Sequence, residues 1–323
     1  MTNKSFENEL GERRSYLKSR LNATLYYRRI VLSSLILSDE RTIKYSEYGN
    51  KNGKPIFICH GLNSSRLEAK VFSNLISDKN FKIIGIDRPG IGGSSFQEDR
   101  NILDFTYDIT AVANKLIINK FTIIGTSAGA AYALACAYKI PERLISCHII
   151  SGLGAIEESF NVLNNENKKF ITMSKKYPWI IQPILWMLIG RHSKKKNKSE
   201  RFITNVIQSL DKVDKESLND PTIRNLFIEA FKESYLHGTK GVAHDSILAY
   251  AKPWGFSLKD IKYNHIYLYN GAKDSSIPIE MGEQMYQLLE NSTYILYQND
   301  GHLSTVINQI ADIKKNITNC WSQ

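Results

Sequence analysis

Cysteine is scarce in this sequence, and its arrangement excludes two kinds of site. The 323 residues contain four cysteines, and none forms a CxxC pair or another spacing typical of a metal site. Cys59 and Cys147 fall within apolar runs, which predicts buried free thiols in a reducing compartment. The sequence also has no HExxH helix and no GxxxxGKS or GxxxxGKT loop, so it predicts no bound metal and no cofactor.

A long uninterrupted apolar run is also missing. No stretch of about 18 or more uncharged apolar residues is present, so no membrane-spanning helix is predicted. Arg28 and Arg29 interrupt the apolar stretch at 21–37, and no small-residue cleavage site follows it. These features argue against a secretory leader, and the predicted location is the cytoplasm.

Positive charge is in excess, with a formal net charge of +10 at pH 7. Lysine, asparagine and isoleucine are all abundant, so this excess is interpreted as a bias spread over the surface, and no nucleic-acid partner is predicted. One local basic cluster comprises Arg191, His192, Lys194, Lys195, Lys196 and Lys198. Two interpretations of this cluster remain open: a solvated loop, or a weak contact with an acidic partner or a membrane surface.

Short apolar runs alternate with helical patterns along most of the chain. The predicted strands cover 31–37, 42–48, 55–59, 81–86, 121–124, 144–150, 265–270 and 294–297. The predicted helices cover 68–77, 102–116, 128–138, 279–289 and 305–318. Continuous apolar runs are typical of strands covered on both faces, and intervening helices indicate parallel pairing. The sequence therefore predicts an α/β fold with a doubly wound, mostly parallel eight-stranded sheet.

The alternation stops at 156–253, where helical patterns and charge runs replace it. This range is predicted to be a helical cap, or lid, inserted between two parts of the core at 31–155 and 254–323. Residues 1–30 are predicted to form a helical extension outside the core, with an amphipathic helix at 5–27.

The first part of the cap, at 177–190, is strongly apolar and includes Trp186. Pro178 and Pro183 interrupt it. Two interpretations remain open: a buried lid helix, or a lid that touches a membrane. The apolar residues of the cap are predicted to form one wall of a pocket for a hydrophobic acyl or alcohol group.

The strongest local signal is Gly125-Thr126-Ser127-Ala128-Gly129, between an apolar strand and a helix of small residues. A serine at such a sharp turn projects its hydroxyl above the sheet, and small residues are needed on either side because neighbouring backbone crowds there. The helix N-terminus behind the serine favours developing negative charge. Ser127 is therefore the candidate nucleophile.

From about residue 32 to the end, the sequence resembles the α/β-hydrolase superfamily. The matching stretches are Glu47-Tyr48-Gly49, His60-Gly61, Asp87-Arg88-Pro89-Gly90-Ile91-Gly92-Gly93-Ser94, the serine turn, Pro141-Glu142-Arg143, Gly271-Ala272-Lys273-Asp274 and Gly301-His302. They occur in the family's order, which implies that the serine is followed by the acid and then by the histidine. An aspartate in place of Ser127 would have indicated a dehalogenase or an epoxide hydrolase.

A serine hydroxyl is a weak nucleophile until a base accepts its proton. His302 is the candidate base among seven histidines, because it follows the last strand on a loop that can place the imidazole over the sheet edge. His60 is expected to shape the oxyanion loop instead. Asp274, after the seventh strand, is the candidate acid that orients His302. Asp245 is the alternative acid, whereas Asp300 lies too close to His302 along the chain.

Two backbone donors are expected to stabilise the oxyanion of a tetrahedral intermediate. The Ala128 N–H group is one of them by its position. The other is expected after His60-Gly61 and is assigned to the Leu62 N–H group, with Asn63 as the alternative. The predicted substrate-binding residues are His60, Gly61, Asn63 and Trp186.

These residues predict acyl transfer to water through an acyl-enzyme on Ser127. The predicted substrate is an ester or a lactone of a hydrophobic small molecule. Because a fold does not fix a function, several alternatives remain: an acyl thioesterase or acyltransferase acting on a carrier-bound acyl group, a non-hydrolytic ligand receptor, a cofactor-free oxygenase and a carbon–carbon bond hydrolase.

Overall fold

A computed structural model of the chain describes residues 31–163, 165–190 and 205–323. The helix predicted at 5–27 and the basic cluster at 191–198 lie outside the described residues.

One sheet of eight strands forms the centre of the fold. The strands are β1 Val31–Ile36, β2 Thr42–Gly49, β3 Lys54–Cys59, β4 Phe81–Ile86, β5 Phe121–Thr126, β6 Leu144–Ile150, β7 Ile266–Gly271 and β8 Ser292–Tyr297. Their order is β1-β2-β4-β3-β5-β6-β7-β8. β2 is antiparallel to β1 and β4, and all the other neighbours are parallel. The predicted eight-stranded, mostly parallel sheet is confirmed.

Helices cover both faces of this sheet. The α-helices are α1 Glu68–Ile76, α2 Phe105–Lys115, α3 Gly129–Lys139, α4 Ile156–Ser159, α5 Asn165–Lys176, α6 Ile181–Leu185, α7 Lys212–Ser217, α8 Pro221–Ser234, α9 Lys240–Tyr250, α10 Ile279–Leu288, α11 His302–Asn308 and α12 Ile310–Cys320. One apolar cluster joins the sheet to α2, α3 and α10, and another joins it to α1, α11 and α12. β4 and β5 are buried along their whole length, as their continuous apolar runs predicted.

The strand register brings functional loops together at one edge of the sheet. Cys59 of β3 pairs with Gly125 of β5, and Thr126 pairs with Ile150 of β6. The loops that follow these three strands therefore leave the sheet side by side. Crevices at the carboxyl ends of parallel strands are where ligands bind in open α/β sheets.

Two predicted helices differ from the observed ones. The single closing helix predicted at 305–318 is divided at Gln309 into α11 and α12, and α11 begins already at His302. The helix predicted from residue 102 begins only at Phe105, because Asn101 and Asp104 form a reciprocal turn through their side chains and backbone amides.

Between β6 and β7, the described residues form helices and turns and no strand. α9 lies against the core, where its Asp245 is fully buried. The apolar segment at 177–190 is three consecutive short helical turns, Pro178–Ile180, α6 and the π-helical turn Trp186–Gly190. The interpretation of this segment as a buried lid helix is wrong, because only one side of it is buried while Trp179 and Trp186 are 73% and 60% exposed.

All four cysteines are buried free thiols, as predicted for Cys59 and Cys147. In the part of the chain that the structure describes, no helix is long and apolar enough to cross a bilayer.

Candidate active site

Ser127 lies on a sharp turn between β5 and α3. Its backbone φ is +50°, in the left-handed region that side chains disfavour. Three hydrogen bonds hold this conformation: the Ser127 N–H donates to the Ile150 carbonyl at 3.1 Å, and the Ser127 carbonyl accepts from Ala130 and Leu153 at 3.1 and 3.0 Å. The strained backbone at Ser127 lies at the strand-to-helix turn that the sequence pattern predicted.

The glycines on either side of this turn are required by close backbone packing. A Cβ atom at Gly129 would lie 2.0 Å from the Cys59 carbonyl oxygen, and one at Gly125 would lie 2.7 Å from the Gly129 carbonyl oxygen. Both distances are impossible for real side chains. The close approach of β3 to the start of α3 brings the loop after Cys59 beside Ser127.

His302 and Asp274 form a hydrogen-bonded pair at the same edge of the sheet. The His302 Nδ1 atom lies 2.8 Å from the Asp274 Oδ2 atom. The other Asp274 oxygen, Oδ1, accepts hydrogen bonds from the Ser276 and Ile277 N–H groups, both at 2.8 Å. With Oδ1 engaged, Oδ2 is directed to the imidazole. This leaves Nε2 as the imidazole nitrogen available for proton exchange.

The surroundings of His302 favour its protonated form. Burial disfavours the imidazolium, but the charge and hydrogen bond of Asp274 outweigh burial and raise the pKa of His302 above its ordinary value. The negative charges of Asp214 and Glu68 contribute in the same direction. A base with a raised pKa binds a proton more tightly once it has taken it from a nucleophile.

Asp245, the alternative acid, lies in a different network. It accepts hydrogen bonds from Arg88 at 2.7 Å, Arg100 at 2.8 Å and the Tyr132 hydroxyl at 2.5 Å. Burial alone would raise the pKa of Asp245, but the two guanidinium charges lower it far below the usual range. Of the two candidate acids, the structure therefore places Asp274 on His302.

Asp300 and His148, another of the seven histidines, lie in other hydrogen-bond networks. Asp300 accepts hydrogen bonds from the side chains of Asn308 and Gln309, at 2.7 and 2.6 Å. His148 is fully buried between Tyr269 and Ser146, and burial lowers its pKa to about 3.

The two predicted oxyanion donors flank Ser127. Leu62 follows β3, and Ala128 precedes the first residue of α3. Within 31–163, 165–190 and 205–323, no carbonyl accepts a hydrogen bond from either amide. A Cβ at Gly61 would lie 3.6 Å from the Ser127 Cβ, so the loop that carries Leu62 is in contact with the serine. Both N–H groups are thus free to bind an anion near Ser127.

Buried charged side chains hold this loop on both sides. The Arg88 guanidinium donates to the carbonyls of His60 and Gly61, and its distance to the Gly61 oxygen is 3.0 Å. Glu68 accepts from the Gly61 N–H at 3.0 Å and also from the Thr126 hydroxyl. Arg88 therefore holds the peptide group between Gly61 and Leu62, and both Arg88 and Glu68 hold the one between His60 and Gly61. Glu68 also links the loop to the serine turn.

Some of the predicted pocket residues line a cavity beside Ser127, and others do not. Gly61, Leu62 and Asn63 line one cavity together with Ser127 and His302. Asn63 also has a left-handed φ of +52° and accepts a hydrogen bond from the Tyr235 hydroxyl.

His60 and Trp186 are not among the residues that line this cavity. The His60 side chain is buried and its Nδ1 atom lies 2.9 Å from the Gly61 carbonyl oxygen. His60 therefore stabilises the loop and does not line the cavity. The prediction that Trp186 binds the substrate in this cavity is wrong. Trp186 lies on the outer side of its segment, 60% exposed to solvent, because the buried side faces the core.

The cavity has a volume of about 250 Å³. Its walls are largely apolar and include Phe72, Ile150, Ile207, Leu210, Phe227 and Phe231. Among the described residues, the charged ones that line it are Glu68 and Arg224, besides the titratable His302. Four of these apolar residues belong to the helical region between β6 and β7, which thus forms one wall. A small apolar cavity with few polar groups suits a hydrophobic acyl or alcohol group.

Sequence reasoning missed Glu68, Arg88 and Asp214 as parts of the site. Glu68 is the first residue of a predicted helix, where an acidic residue is ordinary. Arg88 lies in a stretch that resembles the family, but nothing in that stretch assigns it to the site. Asp214 lies in a charged run of the helical region, and its contact with His302 joins residues 88 apart in sequence. None of the three has a local pattern that distinguishes it.

No group of three or more histidine, cysteine, aspartate or glutamate side chains is arranged to hold a metal within the described ranges. The arrangement instead suits proton transfer at Ser127 and stabilisation of an oxyanion beside it.

The fold and this site define a class of protein, and comparison with known families agrees. The sequence profile of the alpha/beta hydrolase fold family matches residues 54–308. The chain belongs to this family.

Individual proteins are similar to the chain at lower identity. Proline iminopeptidase of Neisseria meningitidis serogroup A is 31% identical over 137 residues, which cover 41% of this chain and 43% of that protein. The match thus spans less than half the length of this relative.

Solved structures share the fold over most of the chain. A hydrolase from Pseudomonas aeruginosa PA01 has a TM-score of 0.66 at 14% identity, covering 90% of this chain and 98% of that one. Esterase RhEst1 from Rhodococcus sp. ECU1013 has a TM-score of 0.64 at 14% identity, covering 90% and 99%.

Proposed function

We propose that the protein is a serine hydrolase that cleaves a carboxylic ester or lactone of a hydrophobic small molecule. The observation that carries this proposal is the placement of Ser127, on its strained turn, in the same cavity as His302, which is hydrogen-bonded to Asp274. Esterase RhEst1 has the same fold. The proposed roles are nucleophile for Ser127, base for His302 and orienting acid for Asp274.

The reaction proceeds in two acyl transfers. His302 accepts the Ser127 proton while the serine oxygen bonds to the carbonyl carbon, and the carbonyl oxygen becomes an oxyanion at the Leu62 and Ala128 N–H groups. As the intermediate collapses, the carbon–oxygen bond to the alcohol breaks and His302 returns the proton to the leaving alkoxide. Water then attacks the acyl-enzyme by the same route, giving a carboxylic acid and free Ser127.

The cavity limits the size of the proposed substrate. At about 250 Å³ it is below the range of about 300–1,000 Å³ of sites for drug-sized ligands, which favours short or medium acyl chains over long ones. The proposed cap at 156–253 supplies Ile207, Leu210 and Phe227 to the apolar wall. The cytoplasmic location and the absence of a cofactor stay predictions.

Peptide-bond cleavage is the second candidate, favoured by the proline iminopeptidase relative. An aminopeptidase needs an anion for the free amino group of its substrate. Among the described residues, Glu68 is the carboxylate that lines the cavity, and it is buried and holds Gly61 and Thr126 by hydrogen bonds, which favours a structural role over binding of an amino group. The site therefore favours an ester over a peptide.

The experiment combines a substrate panel with active-site labelling. Hydrolysis is measured on p-nitrophenyl esters of increasing chain length, a lactone, an acyl thioester and proline p-nitroanilide. We expect the highest kcat/KM on a short or medium ester or a lactone. A preference for the thioester or for the anilide would replace the proposed substrate class.

A fluorophosphonate probe followed by peptide mapping identifies the nucleophile. Ser151 is a matched internal control, because it lines the same cavity and also has a left-handed φ, +46°. We expect the label on Ser127 and none on Ser151. No labelling at all would favour a ligand receptor over an enzyme.

A further inference from the structure

Exposed apolar side chains are concentrated in one segment of the described chain. Of the twelve large hydrophobic residues that are exposed there, five fall within 177–188: Tyr177, Trp179, Trp186, Met187 and Leu188. We call these five residues the outer patch. The other seven are scattered singly, which is normal for a protein surface, whereas a contiguous apolar patch marks an interaction site.

The outer patch is one side of a segment whose other side is already packed. Trp179 and Trp186 are 73% and 60% exposed. In the same segment, Ile181 and Ile189 are only 2% and 8% exposed. The segment is packed on the protein through its buried residues, so the exposed tryptophans are not part of the core.

The charged residues next to the outer patch in the sequence are positive. Lys175 and Lys176 are exposed immediately before it, and the Lys176 Nζ atom lies 5.3 Å from the centroid of the Tyr177 ring. The sequence has no aspartate or glutamate between residues 167 and 199, and the basic cluster at 191–198 follows the patch directly. A second copy of the chain would bring the same positive charge against this surface, which disfavours a self-association through it.

We infer that the outer patch docks on the surface of an anionic lipid bilayer. Tryptophans prefer the boundary between headgroups and acyl chains because one part of the ring system is apolar and the indole N–H is polar. Lysines beside them add electrostatic attraction to anionic headgroups. The combination of exposed tryptophan, methionine and leucine with flanking lysines, in a sequence stretch without acidic residues, fits such a surface.

Docking in this orientation places the proposed active site beside the bilayer. Leu185 and Ile189, on the inner side of the segment, belong to the same apolar cluster as Leu62 and Phe231. Both Leu62 and Phe231 line the cavity that contains Ser127. This consequence, unlike the docking itself, rests on the proposed function: the cavity wall would lie close to a hydrophobic ester dissolved in the membrane.

The test uses the full chain with Ser127→Ala, so that hydrolysis of lipid does not disturb binding. It is mixed with phosphatidylcholine vesicles that contain or lack phosphatidylglycerol, and with vesicles whose acyl chains are brominated to quench tryptophan fluorescence. The four tryptophans include Trp254, which is 2% exposed and serves as an unquenched reference. Residues 1–30 contain no tryptophan, so quenching locates the contact away from that segment.

We expect binding to the anionic vesicles, weaker binding at high salt, and quenching that is lost in the Trp179→Ser, Trp186→Ser double variant. That variant should bind about tenfold or more weakly. Lys175→Glu with Lys176→Glu should also weaken binding about tenfold or more. Ile117→Ser, at a residue that is 94% exposed elsewhere, is the matched control and should bind normally.

Three results would overturn the inference. The first is wild-type-like vesicle binding by the tryptophan double variant, and the second is binding without bromine quenching, since both would assign docking to another surface. The third is a dimer, seen by light scattering, that dissociates in the double variant. In parallel, esterase activity on a water-soluble ester is measured with the unsubstituted protein. If this protein shows no esterase activity, the proposed function is contradicted, but the docking result is unaffected.

Discussion

The carboxylate of Asp214 accepts a hydrogen bond from the backbone N–H of His302, with an Oδ2–N distance of 3.0 Å. Its other oxygen accepts from the N–H groups of Leu303 and Ser304 at 3.1 and 2.9 Å. Asp214 therefore caps α11 from outside, with the negative charge at the helix N-terminus that its dipole favours. A residue of the helical region between β6 and β7 thus holds the candidate base in place.

Asp214→Asn should lower activity and also change its pH dependence. The single amide oxygen of the introduced asparagine can accept fewer of these hydrogen bonds, and loss of the negative charge should lower the pKa of His302, to which Asp214 contributes. We expect kcat/KM to fall about tenfold, a typical cost of misplacing a catalytic group by a fraction of an ångström. The midpoint of the pH profile should move to lower pH.

Glu216→Gln is the matched control, because Glu216 lies on the same short helix and is exposed. A profile of Asp214→Asn with a wild-type midpoint would show that Asp214 does not act through His302.

Ser127→Ala should abolish ester hydrolysis while leaving the fold intact. The serine is placed by a turn, and its hydroxyl is not part of the core packing. Loss of a triad nucleophile typically costs orders of magnitude in turnover. Initial rates on one ester and circular dichroism measure the two effects. Retention of more than about a tenth of the wild-type kcat would remove Ser127 from the mechanism.

Asp274→Asn and Asp245→Asn should fail in different ways. Asp274→Asn offers His302 the wrong hydrogen-bonding partner and should lower kcat about 10³–10⁴-fold. Asp245→Asn removes the charge partner of the buried Arg88 and Arg100, so it should cost about 3–5 kcal/mol of stability.

Urea denaturation and kcat on one substrate distinguish the two variants. If Asp245→Asn kept full stability while kcat fell as far as in Asp274→Asn, the assignment of the orienting acid would be wrong.

Activity should rise with pH through the titration of His302. The neutral imidazole is the form that accepts the serine proton, and Asp274 raises the pKa, so the midpoint of kcat/KM should lie above about 6.5, the ordinary histidine value. The profile is measured at constant ionic strength. A rate independent of pH from about 5 to 8 would point to another base or to a rate-limiting step without proton transfer.

Arg88→Lys and Arg100→Lys separate loop positioning from stability. Both arginines contact Asp245, but Arg88 alone of the two also donates to the His60 and Gly61 carbonyls. A lysine lacks the planar fork needed for these bonds. Both variants should be less stable, and Arg88→Lys should in addition lower kcat about tenfold with little change in KM, because the Leu62 donor is no longer fixed.

Equal kcat values in the two stably folded variants would contradict a role for Arg88 in positioning the oxyanion loop.

Several features of the protein were determined by the sequence alone. The apolar runs of β4 and β5 predicted buried central strands, and small residues around Ser127 predicted the sharp turn, because burial and local crowding leave their mark on neighbouring residues. The order of Ser127, Asp274 and His302 followed from the resemblance to the α/β-hydrolase superfamily, together with their positions after predicted strands.

Other features were decided by the tertiary structure. Asp274 was the candidate acid and Asp245 the alternative, and only the tertiary structure showed that Asp274 contacts His302 while Asp245 contacts Arg88 and Arg100. The sequence analysis assigned Trp186 to the pocket. An apolar residue type does not determine which side of a short, proline-interrupted helical turn the residue occupies. Asp214 caps α11 across 88 residues, and a hydrogen bond between distant segments depends on how the chain packs, which no local pattern encodes.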